Sequence, residues 1–359
     1  MNLLMIEDQS PFIELVRKAC AKHNVNLITP DDVKLGDGFG DEEDIEAQLR
    51  KRLRLIVEKQ QIDLVLLDSD LSRSPGLRTQ TEFRKAFQRI GVPVCRYRKK
   101  QTATTLALLT FMHRLASDGA NAIMVPGDLA QTDEVSANSL VAWLRHISDG
   151  FKRIESELEA HKEILASSPG PAGVLAQILG HPSLAADLLG YTAQNFYFFG
   201  PAATNDKNEA ARKRFATQLG YWFVNYILAF PGPLLNKPSA AAYLNITTAG
   251  MARDDMQKAI AAAQYDGPFG EIGPFYWREG LDELLEGASG DIALVKDVAG
   301  AELVRVAEGP MGLAYYCLLS REPIKAEDAA PNPDWIPSGA QLARIKQEDL
   351  DQLGPMLNI

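Results

Sequence analysis

LLMIED, residues 3–8, and IDLVLLDSD, residues 62–70, decide how this chain folds. Each is a short apolar run closed by acids: Leu3–Ile6 ends on Glu7 and Asp8, and Leu64–Leu67 ends on Asp68. Unbroken apolar runs of this length read as strands buried on both faces of a parallel sheet. Open α/β sheets place their chemistry at the carboxyl ends of the strands, which is where these acids fall.

Working outward, strand and helix alternate five times before residue 130. After the first strand, Ser10 reads as a helix N-cap with Pro11 at the first helical position. VNLIT (25–29) reads as the second strand, and an acidic, Gly-rich loop (31–44) follows it. Ile45, Leu49, Leu53 and Ile56 share one helix face, and a further helix is expected over Arg78–Ile90. VPVCRY (92–97) is the fourth strand, Leu106–Leu115 a helix, and NAIMV (121–125) the fifth strand. Strict alternation implies right-handed crossovers and a parallel sheet covered on both sides. Five strands favour a flavodoxin-like order, 2-1-3-4-5, which sets the ends bearing Glu7, Asp8 and Asp68 side by side.

The expected organisation is an α/β domain over 1–130, a connecting helix over 131–168, a helical region over 169–239 and an acidic α+β domain over 240–359. Gly150 is the weak point of the connecting helix. Short strands are expected in the last part at IALV (292–295), ELVRVA (302–307), LAYYCLL (313–319) and LARI (342–345).

The chain has 359 residues and a net charge of −10, unevenly spread. Residues 1–150 carry 20 basic and 21 acidic side chains, 151–239 carry 8 and 7, and 240–359 carry 9 and 19. The acidic C-terminal third repels phosphate backbones, which argues against nucleic acid there. Cys20, Cys95 and Cys317 are far apart and odd in number, fitting neither a disulfide framework nor a zinc knuckle. The N-terminus lacks a basic region, and the most apolar later stretch is broken by Asn225, Pro231 and Pro233. The expectation is a cytoplasmic protein with neither signal peptide nor membrane span.

Residues 1–130 resemble the receiver domain of two-component response regulators. The likeness rests on Glu7-Asp8 after strand one, DLVLLDSDLS around Asp68, and GANAIMVPG (119–127) at strand five. It implies Asp68 as phosphoacceptor, with Glu7, Asp8 and Asp68 holding Mg²⁺. A hard cation that neutralises crowded oxygens lets a carboxylate nucleophile take a phosphoryl group. The chain departs from the family twice. Arg98 stands where receivers place Thr or Ser, and Val125-Pro126 leaves no Lys before the proline. Arg98, Lys99 and Lys100 are the nearest cations that could replace it.

Other motifs carry less. GDGFG (36–40) lies among acids after the wrong strand for a phosphate loop. DSDLSRSPG (68–76) has Arg73 where a calcium loop needs glycine. GxxxxGK[ST], GxSxG and HExxH are all missing, and the five histidines end at His181, which excludes a His-dependent site within 240–359. Residues 237–260 have a helix-turn-helix outline, but its second helix sets only Arg253 and Lys258 against Asp254 and Asp255. Phe269, Phe275, Tyr276 and Trp277 cluster as core or as a partner-binding patch. Together these features predict a regulatory or scaffold protein acting through a protein partner, with homodimerisation as one form of that contact. Two alternatives stay open: a phosphorylatable response regulator with a DNA-binding output, and an enzyme with an unidentified C-terminal site.

Overall fold

The computed structural model describes residues 1–35, 45–71, 80–99, 104–118, 121–161, 163, 170–191, 209–298, 302–309 and 312–357. The Gly-rich motif at 36–40, and most of the calcium-loop-like motif, lie outside them.

Strands β1 (Asn2–Ile6), β2 (Asn26–Ile28), β3 (Leu64–Asp68), β4 (Val94–Tyr97) and β5 (Ile123–Met124) form one parallel sheet, ordered β2-β1-β3-β4-β5. The helices, in chain order, begin with α1 (Ser10–Lys22), α2 (Ile45–Gln60), α3 (Gln80–Ile90), α4 (Thr105–Asp118) and α5 (Glu134–Ala160). After them come α6 (Pro171–Ile178), α7 (Ala185–Leu189), α8 (Glu209–Trp222) and α9 (Lys237–Tyr243). The series closes with α10 (Thr248–Met251), α11 (Asp254–Ala259), α12 (Arg278–Glu286) and α13 (Gln347–Leu357).

The apolar runs are buried along their whole length because both sheet faces are covered. Leu4, Ile6, Val65 and Leu67 pack with Leu49 and Leu53 of α2 and with Phe83 and Phe87 of α3. Strand alternation turns Leu3 and Met5 to the other face. α5 runs unbroken through the buried Gly150, starting from Asp133, whose side chain accepts the Ser136 N–H at 2.9 Å. It packs on α1 and on α8. α8 is tied to the start of β4: the Tyr221 hydroxyl accepts the Val94 N–H at 2.7 Å, and the Thr217 hydroxyl donates to the Gly91 carbonyl at 2.9 Å.

The chain forms two compact units instead of four successive segments. Unit 1 is Met1–Ala103, Gly119–Ser168 and Tyr197–Trp222; unit 2 is Thr104–Asp118, Pro169–Phe196 and Phe223–Ile359. Helix α4, read from sequence as part of the N-terminal domain, thus belongs to unit 2. There the Tyr226 hydroxyl donates to the Ala116 carbonyl at 2.8 Å, and the His113 ring meets Trp335 at 5.8 Å.

Unit 2 holds two small sheets. β6 (Leu234–Asn236) pairs antiparallel with β7 (Phe275–Trp277). β8 (Ala314–Cys317) lies between parallel β10 (Ala343–Arg344) and antiparallel β9 (Pro323–Lys325). Residues Ile292–Leu294 make a 3-10 turn, not a strand, after Asp291 caps the Ala293 N–H. The expected strand at 302–307 supplies a single bridge, Arg305 to Ile246. The helix-turn-helix outline resolves into three short helices, α9, α10 and α11, and Asp255 holds the Arg253 guanidinium at 2.7 Å. No described helix is long and apolar enough to cross a membrane.

Candidate functional site

The sheet register builds the site. Ile6 pairs with Leu67 and Asp68 with Tyr97, so Glu7, Asp68 and Tyr97 end adjacent strands β1, β3 and β4 in one row. Glu7 is 3 % exposed and Asp68 1 %.

Lys99, two residues past β4, brings its ammonium into this row. It donates to both Glu7 oxygens at 2.7 Å and lies 2.9 Å from Asp68 Oδ2. The Asp68 contact is an ion pair without hydrogen-bond alignment. Asp68 Oδ1 accepts the Asp70 N–H at 3.0 Å. The Glu7 carboxylate also accepts the Tyr97 hydroxyl proton and the backbone N–H groups of Asp8 and Gln9, the latter two at 2.8 Å. That last contact explains a small departure at α1: its N-cap is Gln9, not Ser10, and Gln9 offers no side-chain cap. The Lys99 ammonium rests 5.6 Å from the Phe12 ring centroid, in the range of cation–π attraction.

Burial raises the Glu7 carboxyl above its ordinary value, against the downward pull of Lys99 and Tyr97. Burial, with the Glu7 and Asp68 charges, raises the Tyr97 hydroxyl well above its ordinary value. Tyr97 therefore stays protonated and acts as a donor.

Of the residues expected at a metal or phosphoryl site, the fold brings Glu7, Asp8 and Asp68 together: one oxygen of each lies within 4.8 Å of the others. Carboxylate oxygens are the right donors for Mg²⁺. In this arrangement, however, the Lys99 ammonium contacts the Glu7 and Asp68 oxygens, so a divalent ion fits only if Lys99 leaves. Lys99 was one of three candidate replacement cations; Tyr97 and Phe12 carried no signal beyond that of core aromatics.

The aromatic cluster is not a surface. Phe269, Phe275 and Tyr276 are 2 %, 7 % and 2 % exposed, and Trp277 is half-buried. β7 contributes Tyr276 to the core of unit 2, and Phe269 meets Phe223 at 6.1 Å. For Phe269, Phe275 and Tyr276 the partner patch expected there is corrected to core packing, since these three rings are buried.

Fold and site together define a flavodoxin-like α/β unit with a buried, lysine-bridged pair of carboxylates at its sheet rim. No protein-family model, curated protein or solved structure matches the chain.

Proposed function

We propose that unit 1 is a degenerate receiver-like module of a regulatory or scaffold protein, working through protein contacts without phosphoryl transfer. The observation that carries this reading is the Lys99 ammonium between Glu7 and Asp68. A phosphoryl-accepting carboxylate needs a divalent cation on its oxygens and an open path for the donor. Here an internal cation neutralises the acids, and Asp68 is buried. The site then acts as a latch that joins the β1, β3 and β4 ends and holds the rim in one state.

Intact-mass measurement after incubation with acetyl phosphate and Mg²⁺ tests this. The expected result is no phosphoryl adduct. An adduct that disappears in Asp68→Ala would replace this reading with the phosphorylatable response regulator.

A further inference from the structure

Two adjacent helices of unit 1 carry a charge opposite to that of the chain as a whole. α2 holds Arg50, Lys51, Arg52, Arg54 and Lys59 against Glu46 and Glu58. α3, packed on α2, holds Arg84, Lys85 and Arg89 against Glu82. Eight basic and three acidic side chains thus share two helices of a chain whose net charge is −10. Lys51, Arg54, Lys59 and Lys85 are exposed and make no ion pair among the described residues. Leu55, also exposed, stands among them as an apolar contact.

A complementary surface lies in unit 2. α12, REGLDELLE, places Glu279, Glu283 and Glu286 at i, i+4 and i+7, on one helix face. All three are exposed; Glu279 has His181 at 3.8 Å, and Glu283 and Glu286 make no ion pair among the described residues.

We infer that the basic face of α2 and α3 docks the acidic ridge of α12 on a second copy of this chain. This rests on the protein-contact reading of unit 1 and names both the face and the partner. Neighbouring surfaces of opposite charge steer association and fix its register. The surface is small: α2 is roughly 24 Å long, and two helices side by side offer on the order of 500 Å². That is below the roughly 800 Å² per partner of a stable complex. The contact is therefore weak and sensitive to salt. A nucleic acid fits the overall charge balance less well, because the acidic residues of 240–359 repel phosphates.

The experiment is sedimentation of the full chain across a concentration series at about 0.05 M and about 0.5 M salt. The expected result is a mass above the monomer that grows with concentration at low salt and is lost at high salt. Lys51→Glu/Arg54→Glu/Lys85→Glu and Glu283→Lys/Glu286→Lys, all at exposed positions, are each expected to be monomeric and to keep the parent's circular dichroism. Mixed together, they restore a heterodimer, because the reversed charges complement each other again. A monomer under all conditions overturns the inference, as does association that survives either charge reversal. Binding of duplex DNA by the parent, lost in the α2–α3 variant without any self-association, overturns it in favour of nucleic acid. None of these outcomes bears on phosphoryl uptake at Asp68, so failure here is distinct from failure of the latch.

Discussion

Two carboxylates and one ammonium at the sheet rim stand or fall together. Removing one member of a buried ion pair strands the charge of the other, at a cost of about 3–5 kcal/mol. Lys99→Met is expected to lose stability in that range at neutral pH, read from urea denaturation, with Mg²⁺ or Mn²⁺ recovering part of it. If Lys99→Met matches the parent, the latch is not stabilising. Glu7 adds a pH signature. Its native value is raised by burial, so between the ordinary carboxylate value and the native one the folded chain binds more protons than the unfolded chain. The stability this group contributes is full at acid pH and is lost as pH rises through its native value. Relative to Glu7→Gln, the parent's denaturation midpoint should fall as pH rises above the ordinary carboxylate value of about 4.3. A parallel pair of pH profiles would show that Glu7 is not perturbed.

At the scale of elements, close approach governs where α8 meets α5. A Cβ added at Gly220 would lie 2.3 Å from Phe151 Cε1. Alanine gains about 1 kcal/mol over glycine in an exposed helix interior, but overpacking a core costs about 1–3 kcal/mol. Gly220→Ala is therefore expected to lower the melting temperature; a rise would mean that the α5–α8 contact is loose. The same comparison shows what was legible in the sequence. β1 and β3 were plain because strands buried on both faces are apolar throughout. The C-terminal strands are two to four residues long and take their pairing from distant partners, so IALV reads as a strand although Asp291 caps it into a turn. Phe275–Trp277 reads as an aromatic patch because β6, the strand it pairs with, lies 39 or more residues earlier. At the rim, the acids were visible as strand endings. Tyr97 was not, since an aromatic at the end of a buried strand looks the same whether it packs or donates a hydrogen bond.

For the whole molecule, the path of the chain matters more than the segment lengths suggested by composition. Unit 1 is completed by α5 and α8, which bury Leu140, Leu144, Ile147, Phe151, Phe215 and Leu219. A fragment ending at residue 130 lacks all of these. It is expected to show neither a cooperative thermal transition nor dispersed amide resonances, whereas a well-folded fragment would mean that the sheet and its first four helices suffice. The chain leaves unit 1 after Ala103 to form α4 in unit 2, returns at Gly119, leaves again at Pro169 and returns once more at Tyr197. No single proteolytic nick can therefore release either half intact. A recombination event that lifted one half into another gene would break the other, so the two are bound to be inherited as one piece.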